Sequence, residues 1–263
     1  MTYEQIRTET RDHVGIIWLN RPEKLNAWTD VMHRELEDQI EAWNKDDGIG
    51  AIILTGEGRA FCAGADLGGF SDRLSEKPDR MEETRFSAPW SHLMRRSKPI
   101  IAALNGYAMG VGLTMALPCD FRFAAEGARL SIRFVKVGLV PELGSTQILS
   151  QLVGLGHATD MCLTGRMVDA EEALRMGLVT HVAPADQLLD AALEKANELA
   201  ANPTSVVVLI KDLLEKNHLE PNLDAVMERE GVRDRIARKW PEHEEAVKAF
   251  LEKRDPDFAK LAP

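Results

Sequence analysis

Two glycine-containing segments constrain this chain more than any other feature. They are Ala60-Phe61-Cys62-Ala63-Gly64-Ala65-Asp66-Leu67 and Asn105-Gly106-Tyr107-Ala108-Met109-Gly110-Val111-Gly112. Each follows a short apolar run, residues 51–54 and 99–104, that reads as a buried strand. Each leads towards a stretch of helical character, and the second runs directly into Leu113-Thr114-Met115-Ala116-Leu117. A glycine-rich turn from strand to helix leaves backbone N–H groups without partners at the positive end of the helix dipole. Two such turns brought together form a pair of donors able to hold an oxyanion.

The pattern along the chain is of strands alternating with helices. Residues 3–20 alternate as a strand pair with a turn at Asp12-His13. Thr29 is placed to cap a helix whose Met32, Leu36, Ile40 and Trp43 share one face. A strand over 50–55 precedes the first glycine turn. Residues 68–80, with Gly68-Gly69, Ser71, Ser75 and Pro78, read as a loop near the site. A helix is expected over about 81–95, ended by Lys98-Pro99, and a strand over 120–124. Asp169-Ala170-Glu171-Glu172 is a capping-box pattern for a helix that Gly177 closes. From Asp186 onward the pattern is helical, interrupted at Asn202-Pro203 and Glu220-Pro221.

Further segments stand in order along the chain. They are Val14-Gly15-Ile16-Ile17-Trp18-Leu19-Asn20-Arg21-Pro22 with Leu25-Asn26-Ala27, Cys119-Asp120, Val137-Gly138-Leu139-Val140-Pro141 and Leu163-Thr164-Gly165-Arg166. Ala170-Glu171-Glu172-Ala173 with Gly177-Leu178-Val179, and Ala249-Phe250-Leu251-Glu252-Lys253-Arg254, complete the set. With the two glycine turns, they resemble the crotonase (enoyl-CoA hydratase/isomerase) superfamily over nearly the whole length.

The resemblance implies an α/β fold, a spiral of ββα turns over residues 1–195 that binds acyl-CoA and carries catalysis. A helical region over 196–263 would pack against neighbouring subunits in a trimer or a hexamer of paired trimers. It implies that Ala65 and Val111 supply the oxyanion donors for a thioester carbonyl. Coenzyme A would lie along the first turn and the loop at 24–27, which implicates Lys24, Leu25, Ala27, Ala63, Asp66 and Leu67. Phe250 and Lys253 would reach a neighbouring subunit's coenzyme A, although Phe250 at helical spacing from Val247 could equally be core. Position alone suggests Met81, Phe86, Trp90, Leu113 and Phe134 as the acyl pocket.

The carboxylates decide the reaction. Hydratases of this family carry two glutamates, at the positions where this chain has Thr114 and Phe134. A threonine hydroxyl can donate or accept a hydrogen bond but is no base near neutral pH, and a phenylalanine can do neither. Glu142 remains, after the proline of Gly138-Leu139-Val140-Pro141, where the isomerases resembled carry a single acid. One carboxylate suffices to take a proton from C2 of a 3-enoyl thioester and return it at C4. Such a group needs its pKa raised by desolvation, for which Phe134 and Leu143 are candidates. Glu142 could instead cap the helix beginning near Gly144. Three readings therefore stand: an isomerase using Glu142, a hydratase or lyase using Glu142 with a water held by Thr114 or Ser145, and an acyl-CoA binder without catalysis.

Composition narrows the partners. The net charge of −10 argues against nucleic acid, and it requires local cations for a polyanionic coenzyme, for which Arg21, Lys24 and Lys253 are available. No apolar run is long enough to span a bilayer, and no secretion signal is visible at the N-terminus, so a cytoplasmic enzyme without membrane contact is expected. Cys62, Cys119 and Cys162 lack metal spacing and read as small core residues, and the seven histidines are scattered. No metal is expected, and no cofactor beyond the coenzyme A of the substrate. Asp66 is expected to fix its turn or touch the coenzyme, and Asp120 to satisfy buried backbone donors.

Overall fold

The computed structural model describes residues 3–66 and 90–258. Leu67, Met81, Phe86 and the loop expected at 68–80 lie outside the described residues. So does most of the helix expected from 81, whose described part is Trp90–Arg96.

The chain opens with an antiparallel hairpin, β1 (Ile6–Arg11) and β2 (Val14–Leu19), turning at Asp12, which adopts φ 50°. Helix α1 (Asp30–Asn44) follows, capped by Thr29, whose hydroxyl accepts from Met32 N at 3.1 Å. Met32, Leu36, Ile40 and Trp43 are buried as the four-four-three spacing predicts. Each contributes on the order of 2 kcal/mol through burial of its apolar side chain.

Three successive passes then each send one strand to each of two sheets. The pairs are β3 (Ala51–Gly56) with β4 (Ala60–Cys62), β5 (Ile100–Leu104) with β6 (Tyr107–Met109), and β7 (Phe121–Ala125) with β8 (Arg129–Ser131). Among the described residues, one sheet runs β1-β2-β3-β5-β7-β10 and the other β4-β6-β8-β9, with β9 at Val168–Asp169 and β10 at His181–Ala183. Pairing is parallel except at β1/β2 and β8/β9. Because buried parallel strands meet protein on both faces, β2, β3 and β5 are buried at every position and mostly apolar. This is the ββα spiral that the resemblance implies.

The helices that carry the site are short. α2 (Trp90–Arg96) precedes β5, and α3 (Val111–Thr114) is a single turn after β6. A 3₁₀ helix (Arg133–Val137) follows β8 and leads into α4 (Ser145–Thr164), which kinks at Gly154, where φ is 76° and ψ is 157°. α5 (Ala170–Arg175) is capped by Asp169, which accepts from Glu172 N at 2.9 Å, as the capping-box pattern predicts.

α6 (Leu188–Ala200) packs Leu188, Ala192 and Ala196 on the larger sheet, so a division at residue 195 falls inside a helix that belongs to the spiral. The chain leaves the sheet at Asn202-Pro203, and α7 (Thr204–Asn217), α8 (Leu223–Ala237) and α9 (Pro241–Glu252) follow. Lys211 on α7 fastens this region to the spiral. Its ammonium is 2.6 Å from Asp120 and donates to the carbonyl of Ser97 at 2.8 Å. Asp120 accepts from Ile100 N as well, at 2.7 Å. The expected role of Asp120 thus holds, with an ion pair added.

Candidate functional site

Strands β4 and β6 are parallel neighbours, so the two glycine turns leave the same sheet edge side by side. Their contact is direct. A Cβ added at Gly112 would lie 2.1 Å from the carbonyl oxygen of Cys62, so only glycine lets the second turn approach the first this closely. Gly110 adopts φ 52° and ψ −122°, a region that side chains rarely enter.

Both expected donors are available by construction. Ala65 forms an isolated parallel bridge with Trp28, in which Trp28 N donates to Gly64 O at 2.8 Å and Asp66 N to Trp28 O at 2.9 Å. That pattern turns the N–H of Ala65 itself away from the ladder. Val111 is the first residue of α3, where an N–H has no carbonyl one turn earlier to bond. Among the described residues neither N–H donates to a backbone carbonyl.

The loop at 21–28 is laid along the first turn. Ala63 N donates to Leu25 O at 3.0 Å, and the guanidinium of Arg21 bonds Ala27 O at 2.7 Å and Asp66 at 2.9 Å. Leu25 and Asn26 both adopt left-handed backbone, at φ 52° and 55°. Asn26 is fully buried and holds that turn by donating to Glu57 O and Ala60 O while accepting from Arg21 N. Lys24, Leu25, Ala27, Ala63 and Asp66 therefore lie close together. Arg21 does not stand free for coenzyme A, because Asp66 pairs with its charge. Lys24 is exposed beside it. The sequence pattern assigns Asn26 no role, although asparagine is the side-chain-bearing residue best suited to left-handed backbone.

Glu142 meets the second turn. Thr114, one helical turn after Val111 and fully buried, donates its hydroxyl to Glu142 Oε1 at 2.7 Å. Glu142 is exposed as a residue, yet partial burial of its carboxyl group raises its pKa above the ordinary carboxylate range. The Thr114 hydrogen bond opposes that rise. The helix-capping alternative is not realised: the N-cap of α4 is Gly144, with no side-chain cap. The loop is held instead through its backbone, by Ser145 N to Glu142 O at 3.0 Å and by the Ser91 hydroxyl to Leu143 O.

The remaining candidates divide. Phe134 is half-buried, and a Cβ on Gly110 would lie 4.0 Å from its ring, so it flanks the second turn. Trp90 and Leu113, expected in the acyl pocket, are fully buried core residues, and Trp90 spends its indole N–H on Met115 O at 2.8 Å. Side chains with no open surface cannot line a pocket in this conformation. Phe250 is 82 % exposed at the end of α9, which removes its core alternative, and Lys253 caps that helix in left-handed backbone at φ 56°. Within one chain neither is drawn into the site.

Cys62 and Cys119 are buried and their thiols are pushed up to about 12, whereas Cys162 is only half-buried. Among the described residues no group of three His, Cys, Asp or Glu could hold a metal ion. A cleft of about 820 Å³ lies elsewhere, between His13, Asn44, Lys98 and residues 200–205. It includes neither glycine turn nor Glu142.

The family model described as enoyl-CoA hydratase/isomerase matches residues 9–260. The chain belongs to the enoyl-CoA hydratase/isomerase family. It is 38 % identical over 259 residues to a 1,2-epoxyphenylacetyl-CoA isomerase of Escherichia coli, covering 97 % of this chain and 98 % of that one. It is 36 % identical over 260 residues to a probable enoyl-CoA hydratase of Rhizobium meliloti, covering 98 % and 99 %. Among solved structures, it is similar to a putative enoyl-CoA hydratase of Streptomyces coelicolor, with a TM-score of 0.88, 33 % identity and coverage of 97 % and 94 %. DspI of Pseudomonas aeruginosa superposes with a TM-score of 0.85 at 36 % identity, covering 98 % of each chain. Among the described residues of this family member, no helix is long and apolar enough to cross a membrane.

Proposed function

We propose that this protein is an enoyl-CoA isomerase that shifts a double bond through a thioester enolate, with Glu142 as the acid and base. The observation that carries this reading is the Glu142 carboxyl beside the second turn, raised in pKa and hydrogen-bonded to Thr114. The N–H groups of Ala65 and Val111 hold the thioester oxygen. The Glu142 carboxylate takes a proton from C2 of a 3-enoyl thioester, and the C–H electrons pass into an enolate whose charge rests on that oxygen. The enolate then reforms the carbonyl, the double bond moves to C2–C3, and the protonated carboxyl returns its proton at C4. Each donor to such an oxyanion contributes about 3 kcal/mol in comparable sites.

The raised pKa supports both halves of the cycle, since a group that must accept and release a proton works best near the operating pH. No cofactor is required beyond the coenzyme A of the substrate. That coenzyme would lie over Lys24, Leu25, Ala27, Ala63, Asp66 and Leu67, with Phe250 and Lys253 supplied by a neighbouring subunit of a cytoplasmic trimer or hexamer.

A second reading, hydration by the same Glu142, is favoured by the names of relatives such as the Rhizobium meliloti protein. Ser145, whose hydroxyl is buried with no partner among the described residues, is a second candidate to hold the water. Mass spectrometry of the products separates the two. Isomerisation of 3-enoyl-CoA leaves the mass unchanged while conjugated-thioester absorbance appears, and the two together are the expected result. Conversion of 2-enoyl-CoA to a product heavier by one water, with 3-enoyl-CoA untouched, would replace the isomerase reading by the hydratase.

A further inference from the structure

The Thr114 hydroxyl has one hydrogen and two acceptors in reach, Glu142 Oε1 at 2.7 Å and Val111 O at 3.3 Å. The shorter contact has the length expected for a hydroxyl donating to a carboxylate, and hydrogen bonds to ionised acceptors are the stronger kind. The carbonyl of Val111 does not depend on this hydroxyl, because it also accepts from Met115 N at 2.9 Å. Among the described residues, Thr114 is the hydrogen-bond partner of the Glu142 carboxyl, since the other bonds of this loop are made by its backbone.

We infer that Thr114 is a positioning residue: its hydroxyl holds Oε1 of Glu142, so that Oε2 is the oxygen that exchanges a proton with the substrate. Thr114 and Val111 share the one-turn helix α3, so this bond registers the acid to the same element that supplies an oxyanion donor. The carboxyl is otherwise carried on a flexible side chain, and misplacement by about 1 Å can cost a hundredfold in rate. The inference rests on the reading of Glu142 as the acid and base.

Thr114 also favours the ionised form of Glu142. Other titratable groups on the elements around this loop, His92 and Arg95 on α2 and Arg133 and Lys136 on the 3₁₀ helix, are not among the causes of its displacement. Removing the hydroxyl should therefore raise the Glu142 pKa.

The test compares Thr114→Val, which keeps the shape and loses the hydroxyl, with Thr114→Ser, which keeps the hydroxyl. Two readouts are taken: the pH titration of the Glu142 δ-carboxyl by ¹³C NMR, assigned with Glu142→Gln, and the pH dependence of kcat and KM on 3-enoyl-CoA. In Thr114→Val the titration and the acid limb of the rate profile should both move to higher pH. There kcat should fall roughly tenfold with KM little changed, and Thr114→Ser should restore both. A titration and limb unmoved in Thr114→Val, or Thr114→Ser matching Thr114→Val, would overturn the inference. Activity retained in Glu142→Gln would overturn the acid/base reading instead, and the NMR titration would still decide whether Thr114 holds the carboxyl.

Discussion

At Glu142 two opposed influences meet, burial that disfavours its charge and a hydroxyl that favours it, with burial the larger. A carboxyl whose folded pKa exceeds its unfolded value binds protons more tightly in the folded state. Its favourable contribution is therefore complete below the ordinary carboxylate range and is lost as pH rises through the raised folded value. At neutral pH the ionised group weakens the fold, as the proposed acid role in a partly dry site entails. Glu142→Gln should accordingly raise the melting temperature at neutral pH, and the gain should vanish in acid, where the native carboxyl is already protonated. Thermal unfolding of both proteins across pH checks this, and a gain independent of pH would point to packing rather than ionisation.

At the scale of elements, the proposed oxyanion pair depends on how closely two turns approach. Parallel pairing of β4 with β6 brings them alongside, and the missing side chain of Gly112 lets α3 close onto Cys62. Gly112→Ala would place a Cβ 2.1 Å from that carbonyl and force the turns apart. Because one oxyanion donor is worth roughly a hundredfold or more in rate, kcat/KM on the thioester should fall at least that far. Kinetics on a variant that retains native circular dichroism tests this, and unchanged kcat/KM would mean the turns are not a donor pair.

The turns are legible in the sequence because strand, glycine and helix follow one another locally. The hairpin, the Thr29 and Asp169 caps and the buried stripe of α1 are legible for the same reason. Partners separated along the chain are not. Nothing near Lys211 announces its bond to Asp120, and nothing near Arg21 announces Asp66, because such pairs depend on how the layers stack. Trp90 and Leu113 mislead for a related reason, since an apolar side chain looks the same in a pocket wall and in the core.

For the whole molecule, the helical region beyond Pro203 presents apolar side chains to the outside, among them Leu214, Leu223, Phe250 and Leu251. Exposed apolar side chains on these helices fit the assembly proposed for this region. Light scattering should give particles of three or six chains, and a monomer at micromolar concentration would remove the basis for Phe250 and Lys253 acting across subunits. Phe250→Ala should then weaken thioester binding while leaving the order of the spiral unchanged.

The role of Glu142 is tested by the rise of conjugated-thioester absorbance when the protein meets 3-enoyl-CoA, measured for the natural chain and for Glu142→Gln. If Glu142 is the acid and base, conjugation should accumulate with the natural chain and not with the variant, while both bind the thioester. A variant that isomerises as fast as the natural chain would show that the proton travels by another group.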